Sequence, residues 1–251
     1  MPSATIHVRP ATEDDAVAIG RVHHAALSPY HDFYRAFFAR DPEEIMPLST
    51  RLALSNDKNK FLVAIFPQTN IVAGFVRYYI AEAADATEEP TVPASPAGSA
   101  AENPENQPSL ASLFAVKSHL KELWERYGHP RETEMDESYE KVMDGRRHIY
   151  VKHIMVDPQH QRKGIGAKLL EAVVDFSAAE SLPTFLVSSA EGHGLYERLG
   201  FRDVGSWTID NGFWAKEIVQ IEHHLGLKGN EGLAERFEGV SEVEIQMIRE
   251  N

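Results

Sequence analysis

Residues 149–170 read IYVKHIMVDPQHQRKGIGAKLL, and the fold turns on how this stretch is parsed. An apolar run ends in Ile154-Met155-Val156-Asp157-Pro158, a polar turn follows, and Gly164 and Gly166 stand one residue apart. Beyond them Ile165, Leu169, Val173 and Phe176 recur at helical spacing. The stretch therefore predicts a strand, a tight loop and an amphipathic helix. A helix N-terminus leaves its first backbone N–H groups unpaired and carries partial positive charge, so phosphate oxygens can dock there without any side chain. With no Cβ at Gly164 and Gly166 the loop turns sharply and its amides can meet a diphosphate directly. Arg162, Lys163 and Lys168 add mobile positive charge around the same point. Two better-known phosphate loops do not fit: G-x-x-x-x-G-K-[ST] is absent, and the third glycine of the dinucleotide fingerprint is replaced by Leu169.

A second segment, Ser188 to Phe201, reads SSAEGHGLYERLGF. Gly192 and Gly194 open a short predicted helix, Gly200 supplies a left-handed cap, and Phe201 starts the next strand. About twenty-two residues separate Gly166 from Ser188, room for one helix and one strand.

Together, Gln161-x-x-Gly164-x-Gly166 after the strand and Leu195-Tyr196-x-x-x-Gly200-Phe201 resemble the two conserved elements of the GCN5-related N-acetyltransferase (GNAT) superfamily, in the expected order. The resemblance implies an α/β fold whose mixed, mostly antiparallel sheet of about seven strands splays between strands four and five and is flanked by helices. It implies acetyl-CoA as co-substrate, with no metal. An amine attacks a thioester well only when neutral, and the resulting intermediate must expel a thiolate. The site must therefore position the two reactants, accept a proton from the amine and protonate the leaving sulfur. By the resemblance, Ile154, Met155 and Val156 pair through backbone groups with the pantetheine arm, and Gln161, Arg162, Lys163, Gly164, Ile165, Gly166 and Ala167 hold the diphosphate. Tyr196 is the candidate general acid, since a phenol near its ordinary pKa of about 10 stays protonated at neutral pH. Many members carry an Asn after strand five that binds the pantetheine amide; aligned on Tyr196, this chain has Ala190, with Ser188 or Ser189 as substitutes.

For the base, strand alternation puts His148, Tyr150 and Lys152 on one face with Val156, and His153 on the other unless a bulge intervenes. His148 has the right pKa but lies far from the splay; Lys152 needs a depressed pKa. A water chain to a backbone carbonyl serves equally. The pairs His23-His24 and His223-His224 lack metal-ligand spacing.

The rest of the chain reads as one domain over residues 4–225 with a charged tail, 226–251. A strand at Ile6–Pro10 precedes a helix carrying Ala16, Ile19, Val22, His23 and Leu27, then a helical hairpin with Pro29 and Pro42 at helix starts. Phe61–Phe66 and Ile71–Ile80 form a hairpin. Residues 82–109, rich in Ala, Pro and Glu, read as a disordered excursion. Within a helical insertion at 110–145, Leu110, Leu113, Phe114, Lys117, Leu120, Leu123, Trp124 and Tyr127 share a greasy face that packs on the domain or forms a partner surface. Phe201–Ile209 and Trp214–Ile221 are expected as the last two strands, split by a tight turn at Asp210-Asn211-Gly212. Sparse apolar residues in the tail, Val240, Val243, Ile245 and Ile248, point to a loosely docked helix.

Of 251 residues, 38 are Asp or Glu against 25 Lys or Arg, a formal charge of -13, which disfavours nucleic acid and favours cationic partners. There is no cysteine, so acyl transfer is direct, and no apolar run approaches the roughly eighteen residues of a membrane span. An intracellular protein, cytoplasmic or nuclear and free of the membrane, is expected. Its function is read as transfer of an acetyl group to a primary amine of a small molecule or a protein. The competing reading is a non-catalytic acyl-CoA-binding module with the inserted helix as partner surface. Members of the family often form homodimers, and no residue here decides that point.

Overall fold

The computed structural model describes residues 6–83 and 109–251, so most of the excursion expected at 82–109 lies outside the described residues. Seven strands form one sheet in the order β1-β2-β3-β4-β5-β7-β6. They are β1 (His7–Pro10), β2 (Lys60–Phe66), β3 (Ile71–Ala81), β4 (His148–Val156), β5 (Thr184–Ser189), β6 (Arg202–Asp210) and β7 (Ser241–Arg249). Every neighbouring pair is antiparallel except β4 and β5, which are parallel. That parallel step needs a crossover, and α6 (Ile165–Glu180) supplies it.

Alternation along the strands gives the sheet two apolar faces. On one, Ile165, Leu169, Leu170 and Val173 of α6 pack with Ala64, Val76, Ile149, Val151, Leu186 and Met247, joined by Tyr196 of α7 (Ala190–Arg198). On the other, Ile19 and Val22 of α1 (Ala16–Ala26) meet Val63, Ile65 and Phe75. α1 lies tight against α3 (Pro42–Leu54), because a Cβ on Gly20 would stand 2.6 Å from the Pro47 Cα. Farther along this face, α2 (His31–Phe37) and the inserted α4 (Leu110–Leu113) and α5 (Lys121–Met143) enclose an aromatic core with α8 (Asn211–His224) and α9 (Leu233–Arg236). Leu113, Leu120, Leu123 and Tyr127 are all buried in it. The greasy face of the insertion thus packs largely on the domain, with Leu110 left exposed at its start.

Two expectations near the C-terminus are corrected. Trp214–Ile221 is helical, not a strand. Asp210 accepts a hydrogen bond from the Phe213 amide at 2.9 Å and so caps α8, while Asn211 bonds Glu242 at 2.6 Å. Gly212 serves close approach, since a Cβ there would fall 2.6 Å from the Phe237 carbonyl oxygen. The last strand comes instead from the expected tail: β7 inserts between β5 and β6, pairing Thr184↔Arg249 through Ser189↔Glu244. Met247 and Ile248 are both fully buried, so the C-terminal end of β7 is covered on both faces, while Glu242 to Met247 alternates polar and apolar residues with the period of a strand, a signal the helical expectation passed over.

The feature that positions the site is the parting of β4 from β5. Only Ile149↔Thr184, Tyr150↔Phe185 and Val151↔Leu186 pair. Beyond Val151, residues 153–156 of β4 remain paired to β3 alone, and β4 and β5 part.

Candidate active site

The loop before α6 has the geometry an anion cradle requires. Gly164 is the N-cap with φ 77°, Arg162 also lies in the left-handed region at 61°, and no side chain caps the helix. The Lys168 amide makes the first helical bond, to the Gly164 carbonyl at 3.1 Å, so the amides of residues 165–167 precede the hydrogen-bonded ladder. Gly164 is exposed, and a Cβ there would meet nothing within 4 Å. At Gly166 a Cβ would already touch Leu195 at 3.4 Å and Val156 at 3.7 Å, so anything longer fills the space between α6, α7 and the end of β4. Gln161 ties the loop to that strand end, its side-chain amide donating to the Val156 carbonyl at 3.2 Å. Lys163 donates to the Gln159 carbonyl at 2.9 Å, and Arg162, Lys163 and Lys168 are exposed around the rim. Backbone amides ringed by cations form a donor set that fits a diphosphate.

Ile154, Met155 and Val156 line the splayed segment, Ile154 and Val156 toward α6 and Met155 toward α1. Tyr196 is buried beside Phe201, ring centroids 6.0 Å apart, and lies against Gly192, where a Cβ would fall 2.9 Å from its ring. Burial pushes its phenol up to about 12, which keeps the proton on oxygen. Ser188 is buried and donates to the Ser189 carbonyl at 2.7 Å; the Ser189 side chain caps α7 through the Gly192 amide at 3.4 Å. Both hydroxyls are thus engaged within the protein.

The expected bases fare differently. His148 is buried with both ring nitrogens occupied: Nδ1 donates to the Arg146 carbonyl at 2.7 Å and Nε2 accepts from the Tyr139 hydroxyl at 2.7 Å. Burial holds its pKa below the ordinary value, and no free lone pair remains for an amine. It acts as a structural link between β4 and α5. Lys152 is the extra residue of a β-bulge, where Arg77 faces His153 and Tyr78 faces Val151. Desolvation, then Arg77 and Arg131, lower its pKa, although the side chain keeps an exposed flank.

The bulge also reverses the facing expected beyond it. His153 joins Tyr150 on the face of α1 and α5, while Val156 turns to α6. His153 stands on the splayed segment itself, 4.7 Å from His23 and 6.4 Å from Phe75 between ring centroids. Burial pushes it well below 6.5 and His23 down to about 4, so both are neutral at pH 7. The sequence could have pointed to His153 only if the bulge had been legible.

Residues 136–218 match the family profile described as acetyltransferase (GNAT) domain. A search of curated proteins gave no match. Among solved structures, one from Corynebacterium glutamicum, described as histone acetyltransferase HPA2 and related acetyltransferase, is 16% identical with a TM-score of 0.53, covering 98% of this chain and 96% of its own. A GNAT-family acetyltransferase from Desulfovibrio desulfuricans is 14% identical over 98% and 99% of the two chains, TM-score 0.46. A Brucella melitensis GNAT acetyltransferase solved with acetyl-CoA is 17% identical over 80% and 84%, TM-score 0.41. The profile match covers the β4–α8 part of the chain, and the Corynebacterium likeness, at 16% identity, extends the shared fold over nearly its whole length.

Proposed function

We propose that this protein is an acetyl-CoA-dependent N-acetyltransferase that moves the acetyl group directly onto a primary amine. The observation that carries this reading is the conjunction of an uncapped, exposed helix N-terminus at Gly164 with the parting of β4 from β5 after Val151. The amides of residues 165–167, with Arg162, Lys163 and Lys168, hold the diphosphate. The open edge of residues 152–156 receives the pantetheine arm. Bound acetyl-CoA supplies an activated acyl group as a thioester.

His153 is placed to take the amine proton, replacing His148 and Lys152 in that role. Its lowered pKa keeps it unprotonated, and an amine that has begun to acylate is acidic enough for a weak base to deprotonate it. Tyr196, still protonated at pH 7, donates to the departing sulfur. Ser188 and Ser189 act through the backbone of the β5–α7 corner, since their side chains are engaged. The single-domain reading extends from residue 4 through β7, because the 226–251 segment completes the sheet.

A non-catalytic acyl-CoA-binding module loses its main support here, because the inserted α5 buries its apolar face. The test is thiol release from acetyl-CoA by the full chain across an amine panel, with mass spectrometry of the acceptor. An acceptor heavier by one acetyl group is the expected result. Coenzyme binding without thiol release from any amine would remove the catalytic reading.

A further inference from the structure

The acceptor face holds a cavity of about 240 Å³ that the GNAT motifs do not explain. Its walls include Tyr34 and Phe38 from α2 and its end, Phe114 after α4, and Trp124 and Tyr127 from α5, with Met46 of α3 below. The rings form one contiguous box: Phe38 meets Phe114 at 5.7 Å and Trp124 at 5.2 Å, and Trp124 meets Tyr127 at 5.2 Å between centroids. Backbone bonds stitch the box shut between distant parts of the chain, Ala39 N–H to the Ala115 carbonyl and Lys117 N–H to the Phe37 carbonyl, both 2.8 Å. The pocket is therefore preformed, with the insertion supplying one side and the segment from α1 to α3 the other.

The polar end of the cavity consists of Arg131, Glu132 and Glu244, with His24 and His31 at the side. Arg131 is spent on Glu244 in two hydrogen bonds of 2.8 and 2.6 Å, so the one guanidinium in the wall is not free to bind a carboxylate. Glu132 has no ion-pair partner among the described residues. His24 keeps a buried Nε2 that lacks a hydrogen-bond partner among them. Glu244 stands opposite Ser189 across the β5–β7 ladder, and Ser189 ends β5 beyond the point where it leaves β4. The polar end of the aromatic box thus adjoins the open end of the cleft.

Resting on the acetyltransferase reading, we propose that this cavity is the acceptor pocket and that its ligand is a small amine bearing a flat aromatic ring on a short chain. The ring fits the box: a cavity on the order of 150 Å³ holds benzene, so 240 Å³ admits one ring with a few further atoms. A sugar amine would bring many hydroxyls against the faces of Phe38, Phe114 and Trp124, which offer them no hydrogen-bond acceptor, and a polyamine would bring more ammonium groups than Glu132 balances. An amino acid would bring a carboxylate toward Glu132, with no free guanidinium among the described residues of the wall to receive it. Glu132 and the aromatic faces attract the ammonium on entry, and the nitrogen comes to rest at the Glu244 end beside the cleft.

The experiment measures kcat/KM for the full chain with phenethylamine, hexylamine, spermidine and a lysine-containing peptide, together with quenching of tryptophan fluorescence by phenethylamine. Burying an aromatic ring predicts that phenethylamine exceeds spermidine and the peptide by about ten- to a hundred-fold. Trp124→Leu should raise KM for phenethylamine about ten-fold while leaving KM for acetyl-CoA unchanged; Phe114→Leu, nearer the rim, is a second and milder variant with the same signature. Spermidine or the peptide turning over as well as phenethylamine, or both variants moving the two KM values together, would overturn the pocket assignment. Saturable quenching by phenethylamine without thiol release from any amine would leave the pocket standing and sink the acetyltransferase reading instead.

Discussion

The two sides of the cleft are built on opposite plans. The side proposed for the coenzyme comes from one contiguous run, residues 154–168, and its donors would be backbone amides that no described side chain caps. The side proposed for the acceptor is assembled from α1, α2, α3, the insertion and β7, and the chemistry proposed for it lies in side chains: His153 on β4, and Glu244, Arg131 and the aromatic box around the cavity. A backbone site tolerates change in everything except the space around it. A side-chain site is altered by a change at any of its many wall positions, which is how one fold acquires different acceptors.

The contrast can be broken most forcefully at Gly166. Gly166→Glu places a long side chain and a like charge where the diphosphate would lie, so calorimetry should show coenzyme binding lost altogether while the amine still quenches tryptophan fluorescence. Next in size, Tyr196→Phe should lower kcat roughly a hundred-fold, the lower range for lost acid catalysis, with coenzyme affinity preserved. Unchanged turnover would take Tyr196 out of the reaction.

Acid should damage the acceptor side first. His23 falls from 6.5 to about 4 on folding, so the unfolded chain binds more protons between those values. The associated stability is fully present above pH 6.5 and is lost as pH falls toward 4, by on the order of 2 kcal/mol once partial solvent screening is allowed for. Denaturant unfolding at pH 7.5 and 4.5 measures it, and His23→Leu should flatten the difference. The smallest effect is expected at His148. His148→Gln should cost about 1–2 kcal/mol through its links to Tyr139 and Arg146 and leave kcat within a factor of about two. A hundred-fold loss there would return His148 to the reaction and displace His153.

Much of the coenzyme side is legible in the sequence because its signals are local. Gly164 and Gly166 mark a loop whose conformation depends on the residues themselves, and Gly200, at φ 86°, closes α7 where the sequence places a left-handed cap. The greasy face of the insertion is likewise visible as helical periodicity. The acceptor side is not legible in this way. Asp210-Asn211-Gly212 reads equally as a hairpin turn or a helix start, and the choice falls to tertiary contacts of Asn211 with Glu242 and of Gly212 with Phe237. β7 does carry a local signal, the period-two run from Glu242 to Met247, but nothing within that run says that it slots between β5 and β6.

By itself, then, the order of residues determined the strand–loop–helix before α6 and the short helix carrying Tyr196, because each rests on contacts within a few positions along the chain. Which histidine stands on the part of β4 beyond its pairing with β5, which strand fills the gap beside β5 and how the aromatic cavity is walled were decided only when the chain folded. A one-residue bulge at Lys152 and pairings more than fifty residues apart carry no local signature, and their energies exist only once distant segments touch.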